Sequence, residues 1–333
     1  MNKPKVTILA LGGTIAMTKS EQGGVVPTLT GEKLVAAVPG LDTLAEIDAQ
    51  SFRQLPGAHL GFDDLEALAD HIRTLCTQSR RGIVITQGTD TIEETAFALD
   101  RLLDVDVPVI VTGAMRNPTV AGADGPANLL AAVQVAISDE ARGKGCLVVL
   151  NDEVHAARFV RKMHTSSPNA FGSPTSGRIG WVSEGLAFFC FALEKLPILP
   201  TSTEKQNARV ALATVALGDD GEQVKALASA RFDGMVVNAT GGGHVPPAVA
   251  DALESAAKHM PVVLASRTGA GNTLGQTYGF PGSEIDLQRR GLIRAGWLDG
   301  LKAKVLLTLL LRHGVTGHDA IEQAFQTWSG GKP

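Results

Sequence analysis

The sequence predicts an α/β protein with a larger N-terminal parallel-sheet domain, covered by helices on both faces, and a smaller C-terminal α/β domain. Three observations predict it. Apolar runs of strand length alternate with longer amphipathic stretches, the order that right-handed crossovers between parallel strands produce. Some of those runs are apolar throughout, as at Val109-Ile110-Val111, and so fit strands buried on both faces. The alternation breaks once, at Leu196-Pro197-Ile198-Leu199-Pro200-Thr201-Ser202-Thr203, where two prolines and a polar cluster read as a linker, and then resumes on a smaller scale.

In the first half the strand candidates are residues 6–11, 82–86, 107–112 and 146–150, and the helix candidates are 62–79, 91–103 and 126–138. Beyond the linker, strands at 209–215, 234–238 and 262–265 interleave with helices at 221–230, 246–258, 302–313 and 318–327. The expected division is an N-terminal domain over 1–195, a linker over 196–208 and a C-terminal domain over 209–333, with no short-period repeat or low-complexity segment. A chain of 333 residues with 44% hydrophobic residues has apolar material enough for two cores.

Composition removes several classes of function. The formal net charge of −4 is small for this length and like charges do not run on, so nucleic acid is not an expected partner. The longest apolar candidate, 186–193, is far too short to span a bilayer, so no membrane partner is expected. The first strand begins at Lys5, which leaves no room for a secretory signal and gives an expectation of a cytoplasmic protein. Cys76, Cys146 and Cys190 are widely spaced in apolar contexts and read as reduced, buried thiols. His59, His164 and His244 stand alone without metal-ligand spacing, so neither metal nor cofactor is expected. A small-molecule substrate remains.

In an open parallel sheet the loops leaving the carboxyl ends of the strands line the ligand crevice. The first strand runs into Leu11-Gly12-Gly13-Thr14-Ile15-Ala16, where the glycines allow a tight turn and a close approach of a ligand, presenting Thr14 at the strand's mouth. The glycine pair lacks the spacing of a dinucleotide fingerprint. The strand at 82–86 runs into Gln87-Gly88-Thr89-Asp90-Thr91-Ile92-Glu93-Glu94, bringing a second threonine and a carboxylate to the same edge. A structural alternative stands beside this reading: Thr91 and Glu94 have capping-box spacing, and Thr89 and Asp90 suit a turn. The basic run Arg158 to Thr165 has its own alternative, a solvated basic strand.

These segments resemble the signatures of bacterial L-asparaginases. The resemblance is carried by Leu11 to Ala16, Gly82 to Thr91, Val111-Thr112-Gly113-Ala114-Met115-Arg116 and Leu150-Asn151-Asp152 with Arg158 to Lys162, and it extends to Lys302-Ala303-Lys304-Val305-Leu306-Leu307. It implies a threonine amidohydrolase that converts L-asparagine to L-aspartate and ammonia through an acyl-enzyme. Thr14 matches the nucleophile, and Thr89, Asp90 and Lys162 match the second threonine, acid and lysine. A threonine hydroxyl is a weak nucleophile that needs a base or relay, which Lys162 beside Thr89 would supply. Amides near Gly88 and Ala114 would bind the oxyanion. The resemblance further implies a homotetramer, a dimer of dimers, in which Glu284 binds the substrate amino group in the neighbouring subunit's site.

The chain departs from the family pattern in three places. Val25 stands where relatives carry a loop tyrosine, and Tyr278, the one tyrosine of the chain, is the candidate replacement. The substrate-gripping polar pair corresponds to Gly57-Ala58-His59, where only His59 has a polar side chain. Gly242 stands where relatives often carry asparagine. The alternatives weighed beside asparagine hydrolysis are a glutaminase-asparaginase of broader specificity, a transfer-RNA amidotransferase subunit, disfavoured by the early first motif, and a non-catalytic amino-acid-binding relative, disfavoured by retention of Thr14, Thr89, Asp90 and Lys162 together.

Overall fold

The computed structural model describes residues 3–13, 15, 17–19, 25–27, 31–200, 202 and 204–329, and the chain divides into two compact units, Met1–Ile198 and Leu199–Pro333. The first unit contains β1 (Lys5–Ala10), β2 (Met17–Lys19), β3 (Val25–Pro27), α1 (Gly31–Ala36), α2 (Leu41–Leu44), β4 (Glu46–Ser51), α3 (Phe62–Cys76), β5 (Gly82–Thr86), α4 (Ile92–Leu102), β6 (Val109–Thr112) and α5 (Gly125–Ile137). It continues with β7 (Cys146–Leu150), β8 (Glu153–Ala156), β9 (Arg161–Lys162), β10 (Phe171–Gly172), β11 (Gly180–Ser183) and β12 (Leu186–Phe189).

Eight of these strands form one sheet in the order β12-β11-β8-β7-β6-β5-β1-β4. From β4 to β7 every pairing is parallel. Every residue of β5, β6 and β7 is buried, because helices cover both faces. On one face α5 packs Leu129, Ala132, Val133 and Ala136 into a cluster with Val6, Ile8, Val84, Ile110, Leu147 and Val149. Side chains alternate along a strand, so Ile83, Ile85, Val109 and Val111 point to the other face, where α4 contacts β6 and β7 and packs beside α3.

The sheet departs from the purely parallel expectation at one end. β7 turns straight back into antiparallel β8 through Asn151 and Asp152, both at positive φ (53° and 58°), and β11 turns into β12 through Glu184 and Gly185 at 48° and 79°. Two consecutive left-handed residues make the hairpin turn whose twist matches that of the strands, and Asn and Asp tolerate that conformation. The apolar stretch at 186–193 thus contributes an exposed edge strand rather than a buried one, with Leu186 at 62% exposure. The three cysteines also differ: Cys146 is buried, Cys76 is half-buried and Cys190 is exposed.

The second unit contains β13 (Val210–Thr214), α6 (Glu222–Ser229), β14 (Gly234–Ala239), α7 (Pro247–Ala257), β15 (Val262–Ser266), α8 (Glu284–Arg289), β16 (Ile293–Arg294), α9 (Gly300–Arg312) and α10 (His318–Trp328). Its four strands are all parallel, in chain order. Val249, Ala250 and Leu253 of α7 pack with Met235, Val237, Val262 and Leu264 of the strands. α9 contacts β13, β14 and β15 and starts on Asp299, whose carboxylate accepts the Leu301 and Lys302 amides at 3.0 and 3.1 Å.

Candidate active site

β1 and β5 are parallel neighbours, so the loops that follow them leave the same edge of the sheet, and Leu11 N–H donates to the Thr86 carbonyl at 2.8 Å where they part. The chains then approach until only backbone fits between them. A methyl on Gly13, at φ +85°, would stand 2.0 Å from the Gly88 nitrogen, and one on Gly57 would stand 2.7 Å from the Gly88 oxygen. Three distant segments, around 13, 57 and 88, therefore meet as bare backbone. Thr14 and the side chain of Val25 lie outside the described residues. On the far side of Thr14, Ile15 is 1% exposed and borders the same Gly125 position as Ala114, which is itself fully buried.

Thr89 opens a single 3₁₀ turn, Thr89–Thr91, that leads into α4, and is 6% exposed. Lys162 reaches it from β9: its Nζ donates to Thr89 Oγ1 at 2.9 Å and to Asp90 Oδ1 at 3.1 Å. The lysine side chain is 17% exposed and that of Asp90 is 63% exposed, so the ion pair is screened on the carboxylate side while the lysine–threonine contact is sheltered. The Lys162 amide also meets the buried Glu93 carboxylate of α4 at 3.4 Å, tying β9 to the helix that follows Thr91. A lysine N–H donated to the hydroxyl oxygen leaves the hydroxyl hydrogen free for another acceptor. A cavity of about 370 Å³ lined by Asp90, Lys162, Met163, His164 and Thr165 opens beside the pair, whereas a larger hollow of about 740 Å³ near α1 and α2 has Lys3, Asp42 and Glu46 in its lining but no threonine, serine or histidine.

Two structural alternatives are set aside here. The basic run is solvated only at its end: Met163, His164 and Thr165 are exposed, whereas Arg158 is 8% exposed, donating to the Glu194 carbonyl at 3.1 Å and standing 3.9 Å from the buried Asp100. Thr91 does not form a capping box, because its hydroxyl donates instead to the Gly57 carbonyl at 2.9 Å and accepts from Gln87 Nε2 at 3.3 Å. It thus bridges the turn at 88–91 to the short helical turn Gly57–His59, in which Gly57 is buried while Ala58 and His59 are exposed. Asp124 and Asn128 were missed by the sequence reading. Asp124 accepts the Met115 and Arg116 amides at 3.0 and 2.8 Å, and Asn128 donates to the Gly113 carbonyl at 3.0 Å, so together they hold the loop that carries Ala114. The signal was Asp124-Gly125-Pro126, an acid just ahead of a helix-starting proline.

In the second unit Glu284 is fully buried at the start of α8. Its Oε1 accepts the Thr277 and Tyr278 amides at 2.8 and 2.7 Å, and its Oε2 lies 3.0 Å from His244 Nε2. Burial alone would raise this carboxyl, but the Tyr278 and Thr277 amides and His244 outweigh it and hold it below the usual carboxylate range. Tyr278 is 44% exposed, with the His244 ring edge-on at 4.9 Å and Phe280 at 5.9 Å. Gly242 packs against Leu274, whose Cδ1 a methyl at this position would meet at 2.6 Å, so a larger residue there requires the leucine side chain to turn aside. Among the described residues no cluster of three or more His, Cys, Asp or Glu is arranged to hold a metal, and no helix is long and apolar enough to cross a membrane.

A doubly covered parallel sheet whose strand mouth presents threonine and aspartate to a lysine from a neighbouring ribbon, joined to a smaller parallel unit with a buried carboxylate, defines a class of α/β amidohydrolases. Residues 5–190 match the model of the asparaginase N-terminal domain, and residues 209–325 match that of the glutaminase/asparaginase C-terminal domain. A probable L-asparaginase of Deinococcus radiodurans is 38% identical over 321 residues, 95% of each chain, and a probable periplasmic L-asparaginase of Haemophilus influenzae is 35% identical over 92% of this chain and 88% of its own. The crystal structure of a probable cytoplasmic L-asparaginase from Campylobacter jejuni superposes with a TM-score of 0.88 at 32% identity, covering 98% of this chain and all of that one. The chain belongs to the asparaginase family and is an enzyme of the amidohydrolase class.

Proposed function

We propose that this chain hydrolyses the side-chain amide of L-asparagine, with Thr14 as nucleophile and the Thr89–Asp90–Lys162 group as the relay that takes up its proton. The observation that carries this reading is the sheltered 2.9 Å contact of Lys162 Nζ on Thr89 Oγ1, one loop away from the glycine turn that precedes Thr14. Attack on the amide carbon gives a tetrahedral oxyanion, ammonia leaves, and water then cleaves the acyl-enzyme to L-aspartate. Backbone amides in the Gly88–Thr89 turn and near Ala114 serve the oxyanion. Gly57, Ala58 and His59 border the substrate, with His59 as the one polar side chain. The chemistry calls for no metal or cofactor.

Glu284 binds the substrate amino group in the neighbouring subunit's site, within a homotetramer built from dimers. Its lowered pKa favours this role, since the carboxylate stays ionised to meet an ammonium. Tyr278, anchored through its amide on Glu284, supplies the hydroxyl that Val25 lacks, and Gly242 leaves the neighbouring wall bare. The protein acts in the cytoplasm. The breadth of the C-terminal family, which takes in glutaminases, favours glutamine as a second substrate. Ammonia release from L- and D-asparagine, L- and D-glutamine and short β-aspartyl amides tests the reading: L-asparagine leads if it holds, and no release from any of them would overturn it.

A further inference from the structure

The strand that carries Lys162 is held by little of its own. β9 and β10 pair only Lys162 with Phe171 and Arg161 with Gly172, share no ladder with the eight-stranded sheet, and add one bond from the Met163 amide to the Ala170 carbonyl at 2.6 Å. So short a ribbon does not hold its orientation unaided. Backbone secures the incoming end, where the Ala157 amide donates to the Cys146 carbonyl and the Phe159 and Val160 amides donate to that of Ala156.

The outgoing end is secured by a side chain. Ser173 follows Gly172 directly, is 6% exposed, and its Oγ lies 3.0 Å from Nδ1 of His155. His155 is 2% exposed and stands on β8 within the main sheet, opposite Val148 of β7. Its Nε2 lies 3.3 Å from Glu153 Oε2, and Glu153 Oε1 accepts from Arg178 at 2.5 Å. Burial holds the imidazole below its ordinary pKa against the opposing pull of Glu153, so the ring is neutral. With Nε2–H turned to Glu153, Nδ1 accepts and the serine hydroxyl donates. The Ser173 carbonyl in turn accepts the Gly177 amide at 2.8 Å, so the turn leaving the ribbon closes on the same residue. The Ser173 hydroxyl is engaged by His155. What it controls is where the ribbon sits.

We infer that Ser173 and His155 are positioning residues: their buried hydrogen bond fixes the β9–β10 ribbon on β8 and thereby sets the contact of Lys162 Nζ with Thr89 Oγ1. This rests on the reading of Thr89 and Lys162 as the proton relay. Ammonia release from asparagine by the full chain tests it in five forms: unsubstituted, Ser173→Ala, Ser173→Thr, Lys162→Ala and the double variant. Ser173→Ala is expected to lower kcat by about 10- to 100-fold while KM stays within about threefold, the scale of a catalytic group displaced by an ångström. Ser173→Thr, which keeps the hydroxyl, restores kcat to within about threefold, and in the Lys162→Ala background Ser173→Ala costs less than about twofold more. An unchanged kcat in Ser173→Ala, or losses that multiply fully in the double variant, would overturn the inference. Should Ser173→Ala fail to fold, Ser173→Cys replaces it, since a thiol fills the space but donates weakly. The signal of ¹³C-methylated Lys162, assigned through Lys162→Arg, separates the two readings. It shifts in the alanine or cysteine variant and not in Ser173→Thr even if the unsubstituted chain releases no ammonia, a result that sinks the proposed function alone; an unmoved signal sinks the positioning role.

Discussion

A lysine that donates to a threonine oxygen fixes where that hydroxyl's own hydrogen can go, so removing the Thr89 hydroxyl tests chemistry rather than packing. Thr14→Ala and Thr89→Ala are each expected to lower turnover by about 10²-fold or more while the unfolding midpoint hardly moves. Near-native turnover in either would remove that residue from the mechanism. Tyr278→Phe takes away one half-exposed hydroxyl and is expected to lower kcat far more than thermal stability; an unchanged kcat would leave a bound water, or Lys162 through Thr89, as the activator of Thr14. Glu284 adds a pH signature. Its carboxyl is lowered in the folded chain, so its stabilisation is fully present above the unfolded value of about 4.3 and is lost as pH falls through the folded value. Urea unfolding of Glu284→Gln beside the unsubstituted chain should therefore show a gap at pH 6 that closes toward pH 3. A gap independent of pH would mean that packing, not charge, matters there.

Helix starts carry consequences of their own. Asp299 both caps α9 and holds the Lys302 ammonium at 3.1 Å, and Lys302 is 1% exposed. Asp299→Asn keeps an acceptor for the amides and loses the charge, whereas Asp299→Ala loses both. The alanine variant is expected to cost about 3 kcal/mol or more in denaturant unfolding, and the asparagine variant clearly less. Equal losses would show that the cap is idle. Elements of this kind mark where the sequence was readable. β5 to β7 and the helices between them follow from continuous apolar runs alternating with amphipathic ones, because parallel strands buried on both faces leave that imprint. The antiparallel end was not read because β8, β11 and β12 are only four residues each and β11 and β12 are half exposed, although Asn151-Asp152 and Glu184-Gly185 carry the turn chemistry. β4 has no buried residue, and α8 is too short for a helical period to show.

For the molecule as a whole, the assembly proposed for Glu284 makes a demand that a single chain does not. An inactive Thr14→Ala chain mixed with an inactive Glu284→Ala chain should regain part of the activity, through hybrid sites drawing one residue from each. Sedimentation should give about four times the 34.7 kDa chain. Absence of complementation despite proven subunit exchange would return Glu284 to its own subunit's site or to none. Of the proposed site, the convergence of Thr89, Asp90 and Lys162 was legible because the three lie in contiguous motifs. The bridge from Thr91 to Gly57, and Asp124 with Asn128, were not, since contacts between loops far apart in sequence leave no periodic trace. The meeting of Gly13, Gly57 and Gly88 bears on how this gene can change. Every missense codon one nucleotide away from glycine encodes a side chain, and any β-carbon at these positions falls within 3 Å of a neighbouring backbone. A saturation library selected for ammonia release should therefore return three positions, 13, 57 and 88, with no surviving neighbours in codon space, as isolated from one another along the gene as they are joined in the crevice.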